Sequence, residues 1–194
     1  MFLPLVAGLG NPGREYAHTR HNLGWVVIDA LARKHGLAWK HAPQFEAELA
    51  RWDLGAGQTR WLMKPLTFMN RCGHSIGALA RYHKLAPDAL AIVYDDLTID
   101  FGLIKVTTSG SAGGHNGVAS VLSHLGSGFV RYRIGIGPKQ PAQMDMADFV
   151  LGKFSPEQQL TITQNLDYYV QGLELLLSRG VEPAMNQLNR RDPK

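Results

Sequence analysis

The segment LPLVAGLGNPG, residues 3–13, gives the first indication of the fold. Its first seven residues form a short apolar run that ends in a glycine-rich turn, which is typical of a buried strand. Apolar residues then recur with helical spacing from Leu23 to Leu31, and Gly36 supplies a stop signal. The pattern therefore predicts a strand, a turn and a helix, in the order that opens an α/β fold.

The rest of the chain continues this alternation. Apolar or alternating runs predict further strands at residues 45–52, 60–65, 89–94, 103–108 and 131–137. The acidic pair Asp95-Asp96 is expected to end the strand at 89–94, and the glycines of residues 110–114 to break the chain after 103–108. Because strands alternate with helices while two strands look like a hairpin, the sheet should be mixed.

Three more helices are expected. One lies around residues 76–83 with Asn70 as its N-cap, and the next around residues 118–125. The sequence Ser155-Pro156-Glu157-Gln158 opens the last long helix, since it combines an N-cap serine, a proline at the first position and a glutamine three residues on. The core face of that helix is expected to comprise Leu160, Leu166, Val170, Leu173 and Leu177.

These elements predict an α/β fold with a single domain over residues 1–188. The expected sheet is twisted and mixed, mostly parallel, and flanked by helices on both faces. Residues 189–194 are polar and are expected to form a flexible tail. In such sheets ligands bind beyond the carboxyl ends of the strands, so the polar clusters that follow the strands should meet at one rim.

The composition narrows the class of protein. Of 194 residues, 45% are hydrophobic and 19% are charged, which excludes a disordered chain. The apolar runs are too short to cross a bilayer and no secretory leader is evident, so we expect a cytoplasmic protein. The net charge of +4 is compatible with a polyanionic partner. Cys72 is the only cysteine, which excludes an internal disulfide, and we expect neither a metal nor a cofactor.

Two motif matches suggest other functions. Residues 8–13 fit the glycine pattern of dinucleotide-binding proteins, but helical periodicity does not start at these glycines, as phosphate binding requires. Residues 73–77 fit a nucleophile elbow around Ser75, which would make the protein a serine esterase. An elbow needs an apolar strand running into the serine, whereas Ser75 lies in the first turns of an amphipathic helix. Both matches are therefore the weaker interpretation.

Several polar residues at loop positions could together hydrolyse an ester. They are Asn11, Tyr16, His21, Asn70, Asp95, His115 and Asn116. Hydrolysis without a metal or a covalent nucleophile needs a base such as histidine, a carboxylate that orients it, and neutral donors for the developing oxyanion. Each residue also has a purely structural explanation, so the residue pattern alone leaves both interpretations open.

The motifs themselves resemble those of a known family. Residues 8–13 with Tyr16, and then residues 19–24, are similar to the opening signature of the bacterial-type peptidyl-tRNA hydrolase family. The further matching blocks are residues 64–70, Asp95 with residues 113–117, and residues 133–137. The resemblance spans about residues 3–155 with four blocks in the family's order, which implies a hydrolase of this type acting on peptidyl-tRNA.

The resemblance implies a role for each matching residue. His21 acts as the general base on the water that attacks the ester between the peptide and the tRNA 3′ end. Asp95, preferred over Asp96 by its register with the family block, keeps His21 oriented and basic. Asn11 distinguishes an N-acylated aminoacyl group from a free amino group.

Other positions are expected to bind the substrate. The cleft for the peptide and the tRNA 3′ end is expected to be lined by Tyr16, Phe68, Asn70 and Asn116. His115 supports the loop or contacts a phosphate, while Lys105 and Arg133 contact the tRNA backbone. Thr107 stands where family members often have a second basic residue. We expect a monomer without an obligate protein partner. The alternatives to the hydrolase are a non-catalytic RNA-binding relative of the same fold and a serine esterase that uses Ser75.

Overall fold

The structure, a computed structural model, describes residues 2–190 and contains one seven-stranded sheet. The strands are β1 (Leu5–Gly8), β2 (Trp39–Ala42), β3 (Ala47–Asp53), β4 (Thr59–Pro65), β5 (Leu90–Asp100), β6 (Ile104–Thr107) and β7 (Val130–Gly137). Their order across the sheet is β2-β3-β4-β1-β5-β7-β6. The four central strands, β4, β1, β5 and β7, run parallel to one another. The antiparallel strands β2 and β3 extend one edge and β6 forms the other.

Helices cover both faces of this sheet. They are α1 (Leu23–Lys34), α2 (Cys72–Tyr82), α3 (Asn116–Leu125), α4 (Met146–Leu151), α5 (Pro156–Arg179) and α6 (Val181–Leu188). Alternate strand residues face alternate layers: Val6 packs into the core shared with α1, α5 and α6, whereas Leu5 and Ala7 pack into the core shared with α2 and α3. The predicted mixed, mostly parallel α/β sheet with helices on both faces is confirmed.

The order of the strands locates the ligand crevice. From β1, the sheet continues to β4 on one side and to β5 on the other. Neighbouring connections leave such a strand in opposite directions, and a crevice opens at its carboxyl end. The loops that follow β1 and β4 reach this point together with the second half of β5.

Several predicted boundaries are wrong. Asp95 and Asp96 do not end a strand, because β5 continues to Asp100 through pairing with β7, with an irregularity in register after Asp96. Asn70 does not cap α2: it lies in the 3-10 turn Met69–Arg71, and the N-cap residue of α2 is Arg71.

The last predicted helix is only partly correct. The capping box of Ser155 and Gln158 is present, with Pro156 in the first turn. Leu160, however, is 58% exposed and does not belong to the core face. The other four predicted positions of that face do pack into the core. The short elements β2, α4 and α6 were not predicted.

The predicted tail, residues 189–194, lies mostly outside the described residues. Within the described part, the side-chain amide of Asn189 accepts from the backbone N–H of Val106 at 2.7 Å and donates to its carbonyl at 2.9 Å. Among residues 2–190, none of the helices combines the length and the apolar character needed to span a membrane.

Candidate active site

A cavity of about 640 Å³ opens at the carboxyl end of β1, where the strand order predicts a crevice. Eight of the ten predicted site residues line it: Asn11, His21, Phe68, Asn70, Asp95, His115, Asn116 and Arg133. Tyr16 and Lys105 lie outside its lining. The fold thus brings together residues that are up to 122 positions apart in the chain, as Asn11 and Arg133 are.

His21 and Asp95 form a buried pair at the base of this cavity. His21 lies in the 3-10 turn Arg20–Asn22 before α1, and Asp95 lies on β5. The Nδ1 atom of His21 is 3.0 Å from each carboxylate oxygen of Asp95. Because a carboxylate only accepts hydrogen bonds, Nδ1 carries the proton, and Nε2 of the neutral ring is the basic nitrogen.

A second histidine shares the same carboxylate. The Nε2 atom of His115 is 3.1 Å from Oδ1 of Asp95, and its ring centroid is 4.5 Å from that of His21. His115 is also the N-cap residue of α3: its Nδ1 accepts from the N–H groups of Gly117 and Val118, at 3.1 and 3.3 Å. Both nitrogens of His115 are therefore occupied, and its proton lies on Nε2. The family blocks include His115, but the sequence contains no signal for this contact.

The electrostatics of the site keep Asp95 ionised. Burial by itself would raise the pKa of its carboxyl group, but the electrostatic attraction of the His21 and His115 rings and the hydrogen bonds that both rings donate hold that pKa well below its ordinary value. Asp96, the next residue, accepts instead from Nε of Arg133 at 2.9 Å and from the N–H of Thr98 at 2.8 Å. Successive strand residues point to opposite faces, so only Asp95 faces His21.

Asn11 is fixed by three hydrogen bonds. Its backbone N–H donates to Oδ1 of Asn22 at 2.8 Å, and its carbonyl accepts from Nδ2 of Asn22 at 2.9 Å. Its side-chain Oδ1 accepts from the N–H of Met69 at 2.7 Å. With Oδ1 occupied, the end of this amide that remains for a ligand in the cavity is its NH₂ group, a donor. Asn22 was not predicted as a site residue, although it lies in a block that resembles the family signature.

Close backbone contacts hold the His21 turn against the sheet. A Cβ atom on Gly24 would lie 2.4 Å from the carbonyl oxygen of Val93 and 2.7 Å from the backbone nitrogen of Leu9. Only glycine allows the start of α1 to approach β1 and β5 this closely. The approach places His21 within hydrogen-bond distance of Asp95.

Amide and aromatic side chains line a further part of the cavity wall. Phe68 is 54% exposed, and its ring meets that of Tyr16 edge-on with 6.3 Å between the centroids. Tyr16 therefore contacts a lining residue without lining the cavity itself. Asn70 follows in the turn before α2, and Asn116 is the first residue of α3. The exposed amide groups on this wall can donate to and accept from a polar chain.

The basic residues near the cavity differ in whether they are free to bind a phosphate group. Arg133 is paired with Asp96 and also donates to the hydroxyl of Thr98 at 3.1 Å. Arg131 donates to the carbonyls of Ser111 and Gly110 and is buried. Lys105 is exposed on the edge strand β6, directly opposite Arg133 in the antiparallel pairing. Lys105 is thus the cation here that is best placed to meet solvent.

Ser75 lacks the surroundings of a nucleophile. Its side chain is fully buried, where its hydroxyl lies 3.4 Å from that of Thr67 and donates to the carbonyl of Glu46 at 3.3 Å. A nucleophilic serine needs an exposed hydroxyl and a histidine base within hydrogen-bond reach. These contacts are those of a structural residue within α2.

His21, Asp95 and His115 also form a possible metal-binding group, since one ligand atom from each lies within 4.8 Å of the others. In this geometry each imidazole donates a hydrogen bond to the carboxylate, and Nδ1 of His115 already accepts hydrogen bonds from two backbone N–H groups. These hydrogen bonds occupy the carboxylate, Nδ1 of His21 and both nitrogens of His115 without an ion.

Comparison with known proteins agrees with the geometry. A sequence model of the family described as peptidyl-tRNA hydrolase matches residues 5–194. A peptidyl-tRNA hydrolase from Anaeromyxobacter sp. strain K is 45% identical over 190 residues, 97% of each chain. One from Gloeobacter violaceus is 42% identical over 192 residues, 98% of this chain and 96% of the relative.

Comparison with solved structures points to the same family. The crystal structure of peptidyl-tRNA hydrolase from Acinetobacter baumannii superposes with a TM-score of 0.89 at 37% identity, covering 99% of this chain and 97% of that one. The family match extends over nearly all of the chain, and the sheet, the helices and the cavity belong to one domain. The chain is therefore a member of the peptidyl-tRNA hydrolase family.

Proposed function

We propose that this protein hydrolyses the ester between a peptide, or an N-acyl-aminoacyl group, and the 3′ end of tRNA, with His21 as the general base. The observation that carries the proposal is the pair of 3.0 Å contacts between Nδ1 of His21 and the Asp95 carboxylate at the base of the cavity. They leave Nε2 as the acceptor for a proton from water.

The reaction follows from this arrangement. Water transfers a proton to Nε2 of His21 while its oxygen attacks the ester carbonyl, and Asp95 stabilises the imidazolium that forms. The tetrahedral intermediate then breaks the bond to the ribose oxygen, which takes the proton back from Nε2. The products are a free carboxyl group and a tRNA with an intact 3′ end. The amide groups of Asn70 and Asn116 can orient the acyl chain and stabilise the oxyanion.

Asn11 supports selectivity for blocked substrates. Its NH₂ group is a donor, which suits the carbonyl oxygen of an N-acyl group. The ammonium group of an unblocked aminoacyl-tRNA offers only further donors and would lack a partner there. A donor that faces another donor at a buried position costs binding energy, so Asn11 would discriminate strongly against the unblocked substrate.

The proposed partner is therefore peptidyl-tRNA. Lys105, together with Arg133, contacts the phosphate backbone, and the aromatic pair of Phe68 and Tyr16 borders the cleft for the peptide and the 3′ end. Every group used in the proposed reaction comes from one chain, which supports a monomer. Because peptidyl-tRNA is produced in the cytoplasm, we place the protein there. Light scattering after gel filtration should give a mass near 21.4 kDa.

The decisive experiment compares the turnover of N-acetyl-aminoacyl-tRNA and unblocked aminoacyl-tRNA. We expect only the blocked substrate to be cleaved, and His21→Ala to lower kcat by about 10²–10⁴-fold with little change in tRNA affinity. Asp95→Asn should lower kcat over a similar range of about 10²–10⁴-fold, because it disturbs the proton position on His21. Thr163→Ala, at an exposed position of α5, is the matched control. Near-normal turnover by His21→Ala would refute the general-base role, and binding of tRNA without turnover by the wild type would favour a non-catalytic RNA-binding relative.

A further inference from the structure

Arg20, the residue before His21, connects three separate segments. Its Nη1 donates to the carbonyl of Phe149 in α4 at 3.1 Å, and its Nη2 donates to Oε1 of Gln158 in α5 at 3.1 Å. Its backbone N–H donates to the carbonyl of Gly152 at 3.1 Å. One arginine thus links the His21 turn to the end of α4 and the start of α5.

The guanidinium is held among neutral partners. It lies 4.3 Å from the centre of the Phe149 ring and 5.4 Å from that of Phe154. Within residues 2–190 no carboxylate forms an ion pair with it. Burial removes water from the guanidinium and so lowers the pKa of Arg20. The contacts with the two rings and with the carbonyl at the negative end of α4 stabilise the charged form and oppose this effect.

The acceptor in α5 is itself part of a cap. Oε1 of Gln158 also accepts from the backbone N–H of Ser155 at 3.1 Å, which completes the capping box of α5. The same oxygen atom therefore serves the start of α5 and the side chain of Arg20. This shared acceptor fixes α5 relative to the His21 turn.

Helix α4 is the segment that depends most on these contacts. It has only six residues, too few for a stable isolated helix. It lines the cavity through Met146, Ala147, Val150 and Leu151, together with its N-cap residue Asp145. Met146 and Leu151 are large apolar side chains that are still exposed, as expected for a wall that contacts an acyl chain.

We propose that Arg20 is a positioning residue, which holds α4 at a fixed distance from His21 and so sets the width of the cleft on the acyl side. The inference rests on the proposed function of the cavity as the hydrolytic site. Arg20 acts through α4 and does not touch the reacting atoms. Its loss weakens the binding of the acyl group and leaves the proton transfer at His21 intact.

The experiment measures kcat and KM of Arg20→Met and Arg20→Lys with N-acetyl-aminoacyl-tRNA over a range of pH. For Arg20→Met we expect KM to rise about tenfold, kcat to change less than about threefold, and the pH midpoint of kcat to stay unchanged. Lysine retains the charge but cannot reach two acceptors at once, so Arg20→Lys should restore little of the loss. Arg33→Met, an exposed position on α1, controls for the change in net charge.

Three results would overturn the proposal. If Arg20→Lys had the KM of the wild type and tRNA binding by Arg20→Met depended less on salt, Arg20 would be a phosphate contact. A lower kcat with a shifted pH midpoint and an unchanged KM would show that it acts directly on His21. Unchanged kcat and KM would show that α4 keeps its place without it.

A second pair of variants keeps the inference testable if Arg20→Met does not fold. Gln158→Ala removes the shared acceptor, whereas Ser155→Ala weakens the cap of α5 without touching Arg20. Both should lower Tm by about 2–4 °C, but only Gln158→Ala should raise KM. Equal KM values in the two variants would refute the link.

Hydrogen exchange separates this inference from the proposed function. The amides of residues 146–152 should exchange faster in Arg20→Met and Gln158→Ala than in the wild type and in Ser155→Ala. This readout does not need a substrate. An inactive wild type would refute the proposed function alone, whereas unchanged exchange in both variants would refute the role of Arg20.

Discussion

At the scale of single residues, Asp95 is the carboxylate that connects the two histidines of the candidate site. It accepts hydrogen bonds from two imidazoles, and their effect on its pKa outweighs that of its burial. Its pKa is therefore lower in the folded than in the unfolded chain. A carboxyl group of this kind stabilises the fold above its unfolded pKa of about 4, and this contribution is lost as the pH falls through the lower folded value.

This sign gives a prediction for Asp95→Asn. The wild type should be more stable than the variant near neutral pH, and the difference in the free energy of unfolding should shrink as the pH falls from about 5 to about 2. Urea unfolding at each pH measures it. Asp167→Asn, at an exposed position of α5, should show a small difference throughout. A difference for Asp95→Asn that stays constant down to the lowest pH would contradict the lowered pKa.

At the scale of elements, the contact between the start of α1 and the ends of β1 and β5 sets the position of His21. Gly24→Ala would place a methyl group 2.4 Å from the carbonyl oxygen of Val93, and backbone atoms cannot rotate away. We expect the free energy of unfolding to fall by about 1–3 kcal/mol, and turnover to fall as well because His21 moves away from Asp95. Thermal unfolding and kcat measure the two effects.

Gly77→Ala is the matched control for that variant. Gly77 also lies inside a helix, but its added Cβ would first meet, at 3.0 Å, the mobile end of the Arg81 side chain. Alanine favours a helix interior by about 0.5–1 kcal/mol, so this variant should be neutral or more stable. A Gly24→Ala protein as stable and active as Gly77→Ala would show that the close approach is unimportant.

The elements also show what the sequence could predict. Helix α5 and its capping box were predictable because the signals are local, within Ser155, Pro156 and Gln158. The end of β5 was not, because a pair of aspartates suggests a turn, and only pairing with β7 continues the strand. Helices α4 and α6 are short, and their helical period extends over too few residues to stand out.

In the candidate site, too, some residues were predictable from local motifs, whereas some contacts were not. The family blocks predicted His21, Asp95 and the asparagines, since each lies in a motif. They could not reveal that His115 shares the carboxylate, or that Asn22 fixes the backbone of Asn11, because both contacts arise only when the loops meet in space. Likewise, the spacing of Leu160 fits the core face of α5, yet its side chain is exposed, because burial is decided by tertiary packing and not by spacing alone.

At the scale of the whole molecule, the net charge of +4 and the exposure of individual cations predict how tRNA binding depends on salt. For tRNA, log K should fall linearly with log[salt]. Lys105→Ala should reduce the slope by about 1, because the exposed lysine releases one counterion. Arg133→Ala should reduce it less, since Asp96 already neutralises that side chain.

Lys34→Ala provides the control for this measurement. Lys34 is paired with Glu174 on α5, in the layer opposite α2 and α3, so its loss should leave the slope unchanged. Fluorescence anisotropy with labelled tRNA at several salt concentrations gives the slopes. Equal slopes for the wild type and Lys105→Ala would exclude Lys105 from the phosphate contacts.

The two occupied nitrogens of His115 have a consequence for how protons travel through the site. Its Nδ1 is bound to the start of α3 and its Nε2 to Asp95, so the second imidazole offers no vacant position to relay a hydrogen ion. In the proposed reaction, the proton taken from water therefore stays on Nε2 of His21 and leaves from that same atom. The proposal thus implies that the ribose oxygen receives the same proton that water lost, and that His21 returns to its neutral form without proton transfer through His115.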